Sequence, residues 1–136
     1  MVTDSDYLIV YGTLRPAFSN SYARHLRQHS QYVGEGSFPG LLFDLGTYPG
    51  AIYQEDSPQA VQGTIFDISH HKQTLLAYLD AYEGISDQFQ QPHEYHRTII
   101  QVNGPGKILN CWFYQYNWPT AQKKIIESGD YAGYIG

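Results

Sequence analysis

The chain has 136 residues with a single cysteine, a formal net charge of −5, 42% apolar residues and 15% charged residues. This fits one domain over residues 1–136, long enough to bury a core without disulfides or a structural metal. Its eight Lys and Arg form no basic stripe, and no apolar run approaches the ~20 residues of a spanning helix, so neither nucleic acid nor a membrane is an expected partner.

The opening Met1-Val-Thr-Asp-Ser-Asp6 has neither a basic nor a long apolar stretch and does not read as a secretory signal, so the expected compartment is the cytoplasm. Tyr7-Leu-Ile-Val-Tyr11 then reads as a strand buried on both faces, ended by Gly12. Ser19, Asn20 and Ser21 are candidate caps for a helix to about His29, with Tyr22 and Leu26 on one face. Residues 31–67 are punctuated by Gly and Pro and predict several short strands, most clearly Val61–Asp67. Ser69 is the expected cap of a second helix whose apolar face carries Leu75, Leu76, Leu79 and Tyr82. Gly84 then takes the C′ position and Asp80–Glu83 forms the last turn. A polar loop, Ile85–Glu94, leads to a hairpin: Tyr95–Val102, a Gly104-Pro-Gly106 turn, and Ile108–Tyr116. A final helix is expected from Thr120 to about Glu127, ended by Ser128-Gly-Asp-Tyr131. Strands outnumber helices without alternating with them, which predicts an α+β fold with a curled or closed sheet. The 13 tyrosines suit such a sheet, being apolar in body and polar at the tip.

Chemistry has three candidate locations. At Tyr11-Gly-Thr-Leu-Arg15, a glycine just past a buried strand lets the backbone approach a ligand, successive amides can bind an anion, and Arg15 offers a fork for a carboxylate. At Glu83, the carboxylate lies at the negative end of a helix, where the unsatisfied carbonyls disfavour its ionised form, as suits a general acid/base. The third location is Glu94-Tyr-His-Arg97, where alternation separates Tyr95 and Arg97 from His96 and Thr98. The histidine pairs His70-His71 and His93 with His96 lack a metal-ligand pattern, so no metal is expected. Cys111, inside an apolar strand, reads as a small buried hydrophobe.

Four motifs in order, Val10-Tyr-Gly-Thr-Leu-Arg15, Val61-Gln-Gly-Thr-Ile-Phe66, Leu79-Asp-Ala-Tyr-Glu-Gly84 and Tyr95-His-Arg97, with Ser128-Gly-Asp-Tyr131 near the end, resemble the gamma-glutamylcyclotransferase-like family, which includes the gamma-glutamylamine cyclotransferases. They span nearly the whole chain. The resemblance implies a small mixed β-barrel flanked by helices, with a pocket at its mouth for a small-molecule gamma-glutamyl substrate. It implies that Tyr11, Gly12, Thr13 and Leu14 bind the glutamyl part, that Tyr95 borders the pocket, and that Arg97 supports the barrel or the pocket wall. It also implies that Glu83 is the general acid/base of an intramolecular aminolysis that releases 5-oxoproline without a cofactor. The competing expectation is a module of the same fold that binds a small metabolite or partner without turnover.

Overall fold

The computed structural model describes residues 2–16, 18–85 and 91–135. In chain order the elements are β1 (Tyr7–Val10), α1 (Ser21–Gln28), β2 (Gln31–Asp44), β3 (Pro49–Tyr53), β4 (Ala60–Asp67), α2 (Lys72–Tyr82), β5 (Tyr95–Gly104), β6 (Lys107–Tyr116), β7 (Lys124–Ile125) and α3 (Tyr131–Ile135).

Hydrogen-bonded neighbours run β2-β4-β1-β6-β5, and β5 returns to β2, so the sheet closes into a five-stranded barrel. All of these pairings are antiparallel except β1 with β6, where Leu8 lies opposite Trp112, which makes the barrel mixed. Closure occurs where Ser37 meets Asn103. The neighbouring Gly36 is needed there, since a Cβ would come within 2.6 Å of Ile65 Cδ1. Beyond this point β2 leaves the barrel, and its distal half pairs with β3 and β7. The expected α+β barrel flanked by helices is therefore the observed architecture.

The run at β1 is apolar throughout because it serves two cores. Ile9 points into the barrel with Phe38, Ile65, Val102 and Phe113. Leu8 and Val10 point outward, onto a second core with Leu26, Leu75, Leu79 and Tyr114. Residues of a strand alternate between faces, so only a strand covered on both sides can be uniformly apolar. Leu79 is fully buried, and truncating such a leucine to alanine costs about 2–5 kcal/mol.

Asn20 is the cap of α1: its Oδ1 accepts from the Ala23 amide at 2.8 Å, while its Nδ2 donates to the Thr13 carbonyl at 2.7 Å. One side chain thus starts the helix and ties down the loop after β1. At the end of α2, Gly84 has φ +78°, and the Gly84 and Ile85 amides donate to the Ala81 and Asp80 carbonyls. This closes the helix with Glu83 as its C-cap residue rather than inside the last turn.

Two expectations fail. Ser69 does not cap α2. Ile68 is pinned by full burial and by its amide bond to the Asp6 carbonyl, Ser69 donates its own amide to Asp67 Oδ1, and the helix starts three residues later at Lys72. The helix expected over Thr120–Glu127 is also absent. Lys124 and Ile125 form β7 against Asp44 and Phe43, and the Ile126 amide donates to the Leu42 carbonyl. The extended edge of β2 offers backbone partners there. Only Ile126 of this segment is buried, which is too little apolar surface to dock a helix. Ser128–Asp130 accordingly ends no helix but leads into α3. Residues 86–90 of the polar loop lie outside the described residues.

Candidate active site

A cavity of about 500 Å3 opens where β1 ends, between the barrel mouth and the C-terminal end of α2. Its lining brings together Tyr11, Gly12, Thr13, Leu14, Glu83 and Tyr95, but not Arg15.

The loop folds into a tight turn closed by the Arg15 amide donating to the Gly12 carbonyl at 3.2 Å. Among the described residues, the amides of Gly12, Thr13 and Leu14 donate to no protein acceptor. Three successive free N–H groups at a cavity wall form a site for negative oxygens. Gly12 is required by close approach: a Cβ would meet Pro49 Cγ at 2.9 Å. The Thr13 hydroxyl lies 2.6 Å from that of Tyr82, which fixes the loop against the last turn of α2.

Glu83 lines the same cavity as this loop. Among the described residues its carboxyl has no hydrogen-bond or ion-pair partner. Burial first, then the carboxylates of Glu94 and Asp80, push its pKa up to about 8. The sequence pointed to an elevated value through the helix end. The contribution of Glu94 depends on a strand start reaching that helix end in space. Asp80 is itself held: Arg97 Nε and Nη2 donate to its two oxygens at 2.9 and 3.2 Å, and the Tyr114 hydroxyl donates at 2.7 Å. The Arg97 guanidinium also sits over the Trp112 ring, 4.4 Å from its centroid. Arg97 thus braces the wall beneath Glu83.

The two tyrosines of the expected site commit their hydroxyls to the fold. Tyr95 donates to the Pro49 carbonyl at 2.7 Å. Tyr11 donates to the Tyr114 carbonyl at 2.7 Å and accepts from the Ala51 amide at 3.2 Å. Burial pushes both phenols above their ordinary value.

Arg15 does not line this cavity. It forks a carboxylate pair inside the protein, Asp130 at 2.7 Å and Glu35 at 3.0 Å. The motif after β1 is thereby tied to the Ser128–Tyr131 motif near the other end of the chain. Cys111 is fully buried, and burial pushes its thiol up to about 12. Among the described residues no three His, Cys, Asp or Glu side chains converge to hold a metal ion.

Tyr48, Tyr82, Glu94, Tyr114 and Trp118 also line the cavity. Tyr82 and Glu94 flank the motif residues Glu83 and Tyr95. Tyr48 and Trp118 come from segments where sequence gave no signal.

The chain matches the gamma-glutamyl cyclotransferase, AIG2-like family over residues 8–133. It is 33% identical over 125 residues to the gamma-glutamylcyclotransferase family protein YtfP of Escherichia coli, covering 91% of this chain and 94% of that protein. The solution structure of E. coli YtfP superposes with a TM-score of 0.65 at 31% identity, over 96% of this chain and 99% of that one. An AIG2-like protein from Mus musculus shares the fold, with a TM-score of 0.70 at 23% identity over 93% of this chain and 87% of that one. YkqA from Bacillus subtilis does so as well, with a TM-score of 0.69 at 24% identity, and there the chain covers 93% of its own length but 39% of YkqA. No helix among the described residues is long and apolar enough to cross a membrane. With motifs, cavity and barrel in agreement, the chain belongs to the gamma-glutamyl cyclotransferase, AIG2-like family.

Proposed function

We propose that the cavity converts a gamma-glutamyl amine or peptide to 5-oxoproline and a free amine, with Glu83 as general acid/base. The observation that carries this reading is a buried carboxyl, Glu83, lining one cavity with the three free amides of Gly12, Thr13 and Leu14; burial pushes its pKa up to about 8. The substrate's α-ammonium must lose a proton before its nitrogen can attack, and burial makes the Glu83 carboxylate a stronger base for it than an ordinary glutamate.

Glu83 takes a proton from the ammonium. The freed nitrogen lone pair attacks the substrate's own γ-carbonyl carbon, and charge moves onto the carbonyl oxygen. The Gly12, Thr13 and Leu14 amides supply donors for that oxygen and for the α-carboxylate. A donor so placed contributes about 10²–10³ in rate. The carbonyl re-forms as the bond to the departing nitrogen breaks. The attacking nitrogen loses two protons on becoming a lactam N–H, and the departing amine takes up both on leaving as an ammonium. Glu83 therefore carries the protons and ends as it began. Holding the glutamyl chain in its ring-closing geometry contributes up to about 7–11 kcal/mol in favourable systems.

The test is an assay for 5-oxoproline release from a panel of gamma-glutamyl amines and dipeptides. Release by the wild type and its loss in Glu83→Gln are expected. Tight binding without release by the wild type would overturn the reading in favour of a binding module.

A further inference from the structure

Beside the cavity, but outside its lining, lies an ion pair that the proposed chemistry does not use. Asp80 stands one helical turn before Glu83. The Glu83 amide still donates to the Leu79 carbonyl at 2.9 Å, so the helical spacing holds there, and residues three apart on a helix are neighbours. From β5, Arg97 donates Nε and Nη2 to the two Asp80 oxygens at 2.9 and 3.2 Å, and from β6 the Tyr114 hydroxyl donates at 2.7 Å. The Trp112 ring covers the guanidinium, 4.4 Å from its centroid. The Asp80 and Arg97 side chains are only 20% and 26% exposed, so salt screens them weakly.

Such a pair would brace the fold wherever it stood. Its place, one turn from a carboxyl without a partner among the described residues, gives it a second consequence. Of its two charges, the carboxylate is the one that acts on Glu83, adding to burial and to Glu94 in disfavouring the ionised form. The guanidinium, 2.9 Å from Asp80, offsets that charge. The phenols in the lining, Tyr11, Tyr48, Tyr82, Tyr95 and Tyr114, are all raised above the ordinary value, by burial first. They carry no charge near neutral pH. His93 and Glu94 enter the lining from the segment before β5. A general base works best when its proton affinity lies near the operating pH.

We propose that Asp80 and Arg97 are positioning residues of the proposed reaction, setting the charge state of Glu83 from outside the cavity: Asp80 holds the proton on, and Arg97 limits that hold. This rests on the cyclotransferase reading and deepens it. Neither residue lines the cavity, so neither is placed to touch the substrate.

The test is a carbon-13 NMR titration of the Glu83 side-chain carboxyl in the ligand-free protein, its signal assigned by loss in Glu83→Gln. His93 and Glu94 are unchanged in every variant compared, so their influence is common to all. Asp80→Asn, isosteric and still able to accept from Tyr114, is expected to lower the Glu83 midpoint by about one pH unit, and Arg97→Gln to raise it by a comparable amount. Arg97→Lys keeps the cation and loses the fork, and its midpoint is expected to lie closer to the wild type than that of Arg97→Gln. The acid limb of kcat/KM for whichever gamma-glutamyl compound is turned over should move in the same directions.

Asp80→Asn and Arg97→Gln break the same pair, so a merely structural role gives shifts of one sign or none. Opposed shifts support the proposal, and shifts of one sign, or a midpoint that neither variant moves, overturn it. Where circular dichroism shows Arg97→Gln unfolded, Asp80→Asn decides alone: a midpoint at or above that of the wild type overturns the proposal. If the wild type releases no 5-oxoproline, the cyclotransferase reading fails, while the titration still decides whether the pair sets the charge of Glu83.

Discussion

Arg15 and Glu83 adjoin the same turn, and their charges are treated in opposite ways. The Arg15 side chain is 11% exposed and is met at once by Asp130, Glu35 and the Thr64 hydroxyl. Asp130 is correspondingly held below the ordinary carboxylate range, chiefly by its hydrogen bond to Arg15. Glu83 is withdrawn from water with no counter-ion among the described residues and lies near two further carboxylates. Charge that serves the fold is neutralised where it stands. At the cavity no described residue offsets Glu83, so its ionised form is disfavoured and the carboxyl holds its proton.

The sharpest way to break this contrast is Glu83→Gln. It keeps the shape and removes the proton acceptor, so turnover of any accepted gamma-glutamyl substrate is expected to fall by at least about 10²–10⁴-fold, measured as 5-oxoproline release. A variant within a few-fold of wild-type kcat would remove Glu83 from the mechanism.

The pH profile follows from the same group. Because Glu83 must be ionised to accept the first proton, kcat/KM is expected to rise by nearly tenfold per unit below its pKa of about 8. Stability runs the other way. The folded carboxyl holds its proton to a higher pH than an unfolded glutamate, whose pKa is ~4.3. Its contribution is therefore complete below that value and is lost as pH rises toward 8, by at most about 1.4 kcal/mol per unit. Thermal melts across this window should show the slope in the wild type and not in Glu83→Gln. A rate falling steadily from pH 5 to 8 would sink the general-base role.

Gly12→Val addresses the other half of the cavity. Its Cβ meets Pro49 Cγ at 2.9 Å, so the turn or Pro49 must shift and the free amides move with it. A loss of substrate affinity of about tenfold or more is expected, since displaced donors cost ~1–3 kcal/mol. Calorimetric titration of a folded Gly12→Val protein with unchanged affinity would count against the turn as the binding element.

Arg15→Met tests the compensated side. Removing the arginine leaves Glu35 and Asp130 facing each other without a cation. Both acids are roughly half exposed, so the expected loss is about 1–2 kcal/mol in denaturant unfolding rather than the larger cost of a fully buried pair. The effect on kcat should be small beside that of Glu83→Gln. A catalytic loss as large as that of Glu83→Gln would erase the distinction between the two regions.

Local chemistry determined much of this protein in the sequence itself. Asn20 caps α1 and Gly84 closes α2 because their side chain or φ angle satisfies backbone groups within a few residues. Gly104–Gly106 turns the hairpin for the same reason. Glu83 and the Gly12–Leu14 loop were legible as a motif and as local geometry, though nothing local showed that they share a cavity. Only the tertiary structure decided what depends on distant partners. The edge of β2 turned Lys124–Ile125 into a strand where a helix was expected, and the pinned Ile68 moved the start of α2 past Ser69. Arg15 finds Asp130 from the other end of the chain, and Tyr48, Glu94 and Trp118 meet at the cavity rim from three separate segments. Capping and turn formation are settled within one or two turns of chain. Charge pairing and cavity walls are settled by the barrel's closure, which no short window of sequence contains.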